Sequence, residues 1–193
     1  MLMFKGIKNV KYFSKGKRSL IYTGIYKNQK VGIKTKNPKS EAKNRIKNEI
    51  KFLKILNKYK IGPKILIAKE KYFAYKFVEG ELLIEYLKNT NKKYNILKKV
   101  LDQCRTLDKL KINKLEFTRP IKHVFVKNNK ITMIDFERCY ETKNPKNVTQ
   151  FSQYIIKNFK TKKEFQTILK NYKEKQTEKN YKEILKYIKT IFS

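Results

Sequence analysis

At Glu79-Gly80 the hydrophobic pattern of the chain changes period, and this break limits the fold more than any other feature. Before it, apolar residues come in short runs rich in Val, Ile, Tyr and Thr, at 10–14 (VKYFS), 19–26 (SLIYTGIY), 30–35 (KVGIKT), 64–68 (KILIA) and 71–78 (KYFAYKFV). Such runs, separated by KGKR and KNQ, read as β-strands joined by hairpin turns. One helix interrupts them. Ser40 stands as its cap, Ile46, Ile50 and Leu53 repeat at i, i+4 and i+7, and the run closes near Asn57 before the breaker pair Gly62-Pro63. After residue 80 the spacing becomes helical over 81–88 and 91–110, with Ile96, Val100, Cys104 and Leu107 on one stripe. A second hairpin, 123–127 and 130–135, turns at Asn128-Asn129, where Asn tolerates the positive φ of a type I′ turn. Three more helices are expected near 147–158, 161–173 and 178–191. The expectation is an α+β chain: a five-stranded sheet with one helix over 1–79, then a mostly helical part over 80–193.

Charge narrows the partners. Lys and Arg total 49 against 16 Asp and Glu, a net +33 over 193 residues. A polyanion, RNA or a ribonucleoprotein among them, is one reading of that excess. The other is codon bias, because Lys, Asn, Ile, Tyr and Phe are abundant together while Arg occurs at only five positions. Base-specific readers favour the bidentate Arg fork, so sequence-specific recognition is not expected. Cys104 and Cys139 lack metal-ligand spacing and are expected to be reduced thiols. The first residues, MLMFKGIKNVKYF, show no apolar signal core, and no apolar run is long enough to span a bilayer. A cytoplasmic protein with no membrane partner is the expectation.

Three placements of residues carry chemistry. Val31 and Ile33 share one face of their strand, Gly32 and Lys34 the other, so Lys34 projects from a face that Gly32 leaves open. Glu49 falls at the edge of its helix's apolar stripe, where it either pairs with Lys34 or points to solvent. Asp135 ends the apolar run Ile131-Thr132-Met133-Ile134, where it either binds a cation or caps the next turn. The stretch from Phe13 to Ser19 is either an ordinary basic hairpin loop or a cradle of backbone N–H groups and cations for phosphates.

Taken in chain order, Val31-Gly32-Ile33-Lys34 resembles the V-A-I-K strand of protein kinases, Asn48-Glu49-Ile50 with Phe52-Leu53 resembles their helix C, and Ile134-Asp135-Phe136-Glu137 resembles their metal-binding D-F-G. The chain is most similar to small archaeal predicted serine/threonine kinases, relatives of the RIO and tRNA-modification kinases. Gly62-Pro63, Phe77-Val78-Glu79-Gly80, Arg119-Pro120-x-Lys122-His123-Val124 and Asn147-Val148-Thr149-Gln150-Phe151 look like that family's own signature, and the resemblance covers roughly residues 10–158.

That resemblance implies a kinase-like two-lobed fold, small β-rich lobe first, with MgATP between the lobes and phosphate transfer to a protein Ser or Thr. It assigns Lys34 to the α- and β-phosphates, Glu49 to orienting Lys34, and Asp135 to Mg²⁺. Ser14, Gly16, Lys17 and Ser19 cover the phosphates, Lys76 to Val78 meet adenine, and Tyr75 lies behind it. The catalytic loop departs from the pattern: Lys114-Leu115-Glu116-Phe117-Thr118-Arg119 stands where H-x-D is usual. Glu116 is then the candidate base. His123, the sole histidine, is either a second metal ligand or a structural hydrogen-bonding group at a strand start. Arg119 is left between contacting a phosphate or the substrate and pairing with Glu116 or Glu137. The alternative function is a kinase-fold ATP-binding or ATPase protein acting on RNA or a ribonucleoprotein.

Overall fold

The structure is a computed structural model that describes residues 4–118 and 122–192, except the side chains of Glu116 and Thr118. The chain divides into two compact units, one formed by 1–79 with 132–139, the other by 80–131 with 140–193. A division of the sequence at residue 80 alone would assign 132–139 to the helical part. Contacts assign them to the first unit because Asp135, Phe136 and Glu137 bond to its sheet and helix.

The first unit is built on strands β1 (Lys8–Lys15), β2 (Ser19–Tyr26) and β3 (Gln29–Lys36), helix α1 (Arg45–Leu56), and strands β4 (Ile65–Ala68) and β5 (Tyr72–Lys76). They form one antiparallel sheet in the order β1-β2-β3-β5-β4. The β2–β3 turn places Lys27 and Asn28 at φ 46° and 60°, the positive values a two-residue type I′ hairpin needs. On β3, alternation sends Val31 and Ile33, both fully buried, to a core shared with Phe4 and Ala74, and sends Gly32 and Lys34 to the other face.

Helix α1 starts four residues later than a cap at Ser40 suggests, with Asn44 in the cap position. The Ser40 hydroxyl instead accepts from the Ala42 amide (3.3 Å), a local turn, and Asn44 takes a left-handed φ of 58° immediately before the helix. Ile46 and Leu53 are buried as the stripe requires, joined by Phe52, Leu56 and the carboxylate of Glu49.

The second unit holds β6 (Glu81–Leu82), α2 (Leu83–Lys88), α3 (Lys93–Lys109), β7 (Ile112–Lys114), β8 (Val124–Lys127), β9 (Lys130–Met133, whose last two residues belong to the first unit), β10 (Cys139–Glu141, which begins in the first unit), α4 (Asn147–Asn158), α5 (Glu164–Glu174) and α6 (Glu178–Ile191). Asn128 and Asn129, at φ 50° and 59°, close the β8–β9 hairpin. Ile96, Val100, Cys104 and Leu107 of α3 are fully buried on one stripe, and α4 adds Val148, Phe151 and Ile155. The short strands β6, β7 and β10 carry too few residues to show a period of their own. Among the described residues no helix is long and apolar enough to cross a membrane.

A polar network lies inside this apolar packing. Asp108, fully buried, accepts from the backbone and side-chain amides of Asn147 (3.0 and 2.7 Å), the Val148 amide (3.3 Å) and the Tyr172 hydroxyl (2.9 Å). Arg105 donates to the Tyr172 hydroxyl and the Gln176 carbonyl. Burial pushes the Asp108 carboxyl up, and its four donors pull it back. Asn147 also donates to the Ile112 carbonyl and accepts from the Lys114 amide, so β7 is fastened to α3 and α4 at one residue. Asp108→Ala leaves several buried donors without an acceptor, each costing about 1–3 kcal/mol. We expect the melting temperature to fall by roughly 10 °C or more, and a thermal denaturation scan against Asp108→Asn, which keeps one acceptor oxygen, checks it; an unchanged melting temperature would show the network to be dispensable.

Candidate active site

Lys34 is the centre of a buried ionic cluster in the first unit. Its Nζ lies 2.6 Å from Glu49 Oε2, 3.0 Å from Asp135 Oδ1 and 3.7 Å from Glu137 Oε2. Three carboxylates around one ammonium outweigh the desolvation that opposes its charge, and hold the Lys34 pKa well above its ordinary value. For Glu49 the balance runs the other way: burial pushes its carboxyl up, while Lys34 and the Phe136 amide draw it back. The pairing of Lys34 with Glu49 that spacing left open is present.

Each member is set by its element. Glu49 is directed by the turn of α1 that also buries Ile46 and Leu53, and its second oxygen accepts from the Phe136 amide (3.1 Å). Asp135 follows β9 with φ 63°, a left-handed conformation that Asp tolerates better than most residues and that any larger branched residue would resist. Phe136, fully buried, packs where Gly62 has φ 76°; a Cβ on Gly62 would stand 2.6 Å from Leu53 and 2.9 Å from Phe136. Glycine at that position is thus demanded by both the backbone and the space.

Glu137, Arg18, Asn37 and Asn48 complete the cluster, and none of them was singled out for a role in it from spacing. Arg18 donates to Glu137 Oε1 (3.2 Å), and the Asn48 side-chain amide donates to the carbonyls of Glu137 (2.9 Å) and Cys139 (3.0 Å). Asn48 sits one residue before Glu49, so one turn of α1 grips both sides of Phe136. Asn37 donates from its side chain to the carbonyls of Gly16 and Lys17 and from its backbone to that of Arg18. Only the local density of Asn and the basic loop hinted at this.

The other expected site residues take definite places. Ser14 lies within β1 opposite Ile21, Ser19 opens β2, and Gly16 donates to the Ser19 carbonyl (2.8 Å), so the stretch is a tight turn whose carbonyls Asn37 secures. Lys17 is exposed on it. Tyr75 pairs with Gly32 across β3 and β5, and its ring fills the face that Gly32 leaves open: a Cβ there would stand 2.5 Å from the ring. Burial pushes the Tyr75 hydroxyl up to about 12. The Lys76 and Phe77 amides already donate to the carbonyls of Lys64 (2.9 Å) and Lys30 (3.1 Å), and the Lys30 ammonium sits 4.1 Å over the Phe77 ring. Of the amides from Lys76 to Val78, that of Val78 alone has no partner among the described residues.

Glu49, Asp135 and Glu137 bring one oxygen each within 4.8 Å of one another. Oxygen donors suit a hard cation, and Asp135, with 28% of its side chain exposed against 4% and 5% for the two glutamates, is the member that solvent reaches. His123 is not part of this group; it stands immediately before β8 in the second unit. Glu116 falls in the single helical turn after β7 and its side chain lies outside the described residues, as does Arg119. No protein-family model matches the chain, and no curated protein does.

Removing the ammonium tests the cluster. In Lys34→Met, Glu49, Asp135 and Glu137 lose their shared cation, and breaking a buried pair costs about 3–5 kcal/mol near neutrality. Burial already pushes the Glu49 carboxyl up, and without the ammonium that draws it back it rises further, so the folded state binds more protons than the unfolded one and stability falls as pH increases through the raised range. The loss in melting temperature relative to wild type should be larger at about pH 8 than at about pH 5. Equal losses at both pH values would contradict the clustering.

Proposed function

We propose that this chain is a kinase-like phosphotransferase with a two-lobed architecture: the first unit binds MgATP through Lys34 and Asp135, and a protein serine or threonine hydroxyl receives the γ-phosphoryl group. The observation that carries this reading is the Lys34 ammonium held between Glu49 at 2.6 Å and Asp135 at 3.0 Å. Phosphoryl transfer depends on positioning and on stabilising charge, and this cluster provides both. The ammonium is already oriented by Glu49, whose second oxygen is tied to the Phe136 amide. Asp135 offers carboxylate oxygen at the solvent-reachable side of the cluster, which fits the hard-oxygen preference of Mg²⁺.

Bound magnesium would neutralise the phosphate oxygens and shield them from the attacking hydroxyl's lone pair. The chain's own residues do the rest in this reading. Lys34 offers its ammonium to phosphate oxygens, exchanging part of its contact with Asp135 for them. Asp135 is then released toward the cation, while Glu49 keeps Lys34 in place. The Val78 amide and the carbonyls beside it serve an adenine edge, and the turn at Gly16 and Lys17, steadied by Asn37, offers cationic cover. Glu116 accepts the proton of the substrate hydroxyl. Its assignment rests on its place in the chain directly after β7, the strand that Asn147 fastens.

Thermal shift with MgATP, in high salt after nucleic acid has been stripped, tests the site. A ligand at one hundred times its dissociation constant stabilises by about 2.7 kcal/mol. Wild type is expected to shift and Asp135→Ala to shift little; equal shifts in both, or none in wild type, would refute nucleotide binding at this cluster. Glu116→Gln should keep the shift and lose transfer of labelled phosphate to a mixed Ser/Thr protein substrate, and an undiminished rate would remove Glu116 as the base.

A further inference from the structure

A cavity of about 850 Å³ opens in the first unit where the end of β3, the start of α1 and the β4–β5 turn meet. Thr35 lines it and Lys34 does not, so it is separate from the ionic cluster. Ile46, Ile50, Ala42, Pro38 and Ala68 give it an apolar lining. Around them stand six cations, Lys36, Arg45, Lys47, Lys54, Lys69 and Lys71, against one carboxylate, Glu70. Six cations to one carboxylate is about twice the 49-to-16 ratio of basic to acidic residues in the whole chain, so the rim is more one-sided in charge than the chain as a whole.

Two further features ask for an anion there. Helix α1 begins at the cavity wall with Asn44 left-handed, no side-chain cap and no acidic residue in its first turn. Its leading N–H groups and the positive end of its dipole therefore face this region without the usual negative partner. Arg45, on the same wall, donates through Nη1 to the Glu137 carbonyl (3.5 Å), while its Nε is buried with no partner among the described residues. A nucleic acid would meet the cations but not the lining, because none of the lining residues is aromatic and bases bind such surfaces by stacking.

We propose that this cavity docks an acidic segment of a partner protein in which a bulky apolar side chain is flanked by carboxylates. The apolar side chain enters against Ile46, Ile50 and Ala68, and the carboxylates reach the α1 N-terminus, Arg45 and the lysine rim. The same stretch of α1 carries Ile46 and Ile50 into the cavity and Glu49 to Lys34, so an occupant grips the helix that orients the ion pair. Docking itself requires no nucleotide and stands apart from the phosphotransfer reading.

Fluorescence anisotropy with the full chain, without nucleotide and at physiological salt, tests this. The probe is a fluorescein-labelled peptide with one Phe between two runs of three Glu. Charge reversal at the exposed rim, Lys47→Glu with Lys54→Glu and Lys71→Glu, should weaken binding about tenfold or more, whereas the same number of reversals on β1, Lys8→Glu with Lys11→Glu and Lys15→Glu, should weaken it far less. Replacing the peptide's Phe by Ser should also weaken it several-fold. Equal effects of the two triple variants, or indifference to the Phe, would overturn the proposal in favour of unspecific attraction to net charge. Tighter binding of an oligouridine of equal charge, lost with the same rim variants, would overturn it in favour of a nucleic acid.

Discussion

One ammonium among three carboxylates is the constraint on which the first unit is arranged. Leaving a charge of either sign unpaired in a buried place costs several kcal/mol, so Lys34, Glu49 and Glu137 fold only as a set, with Asp135 at its open side. Each comes from a different element, β3, α1 and the 132–139 segment, so the cluster fixes how these three meet. Glu49 adds a bond to the Phe136 amide, and Asn48 holds the carbonyls beyond it. The close packing of the buried Phe136 against Gly62 gives the segment its position, and the ionic cluster gives it its conformation.

Much of this was legible where a residue type and its position both pointed the same way. Alternation on β3 separates Lys34 from Val31 and Ile33 with no knowledge of the fold, and the i, i+4, i+7 stripe of Ile46, Ile50 and Leu53 places Glu49 near the buried side. The paired asparagines at 128–129 announced their hairpin through the positive φ that they tolerate. The start of α1 was misread because Ser40 has the chemistry of a cap, yet its hydroxyl is used by Ala42 in a local turn. Local sequence does not record which of two nearby amides a hydroxyl will find.

Non-local bonds were the less legible part. Arg18 reaches Glu137 across more than one hundred residues, and Asn37 holds the β1–β2 turn through carbonyls that every residue has. The same holds in the second unit, where Asn147 ties β7 to two helices through Asp108. Carbonyl acceptors leave no mark on a sequence. Gly32 illustrates a subtler case: alternation gave its face correctly, but the space it leaves is filled by Tyr75 from the neighbouring strand, which only the pairing of β3 with β5 reveals.

In a chain with net charge +33, the acids carry more information than the bases. An exposed lysine among many costs little and distinguishes nothing, whereas a buried carboxylate must be matched donor by donor. Glu49, Asp108 and Glu137 are the buried acids among the described residues, and each sits where several elements converge. The converse also follows. Where bases crowd around an apolar cavity and the nearest helix end has no acid of its own, as at the start of α1, the missing carboxylates are a property of the surface. Repulsion among Lys36, Lys47, Lys54, Lys69 and Lys71 is tolerable in water because the ions are solvated, but closing an apolar surface over them would strip that solvation. An occupant of the cavity therefore has to bring negative charge with it, which is the physical reason its chemistry is the complement of this chain's own composition.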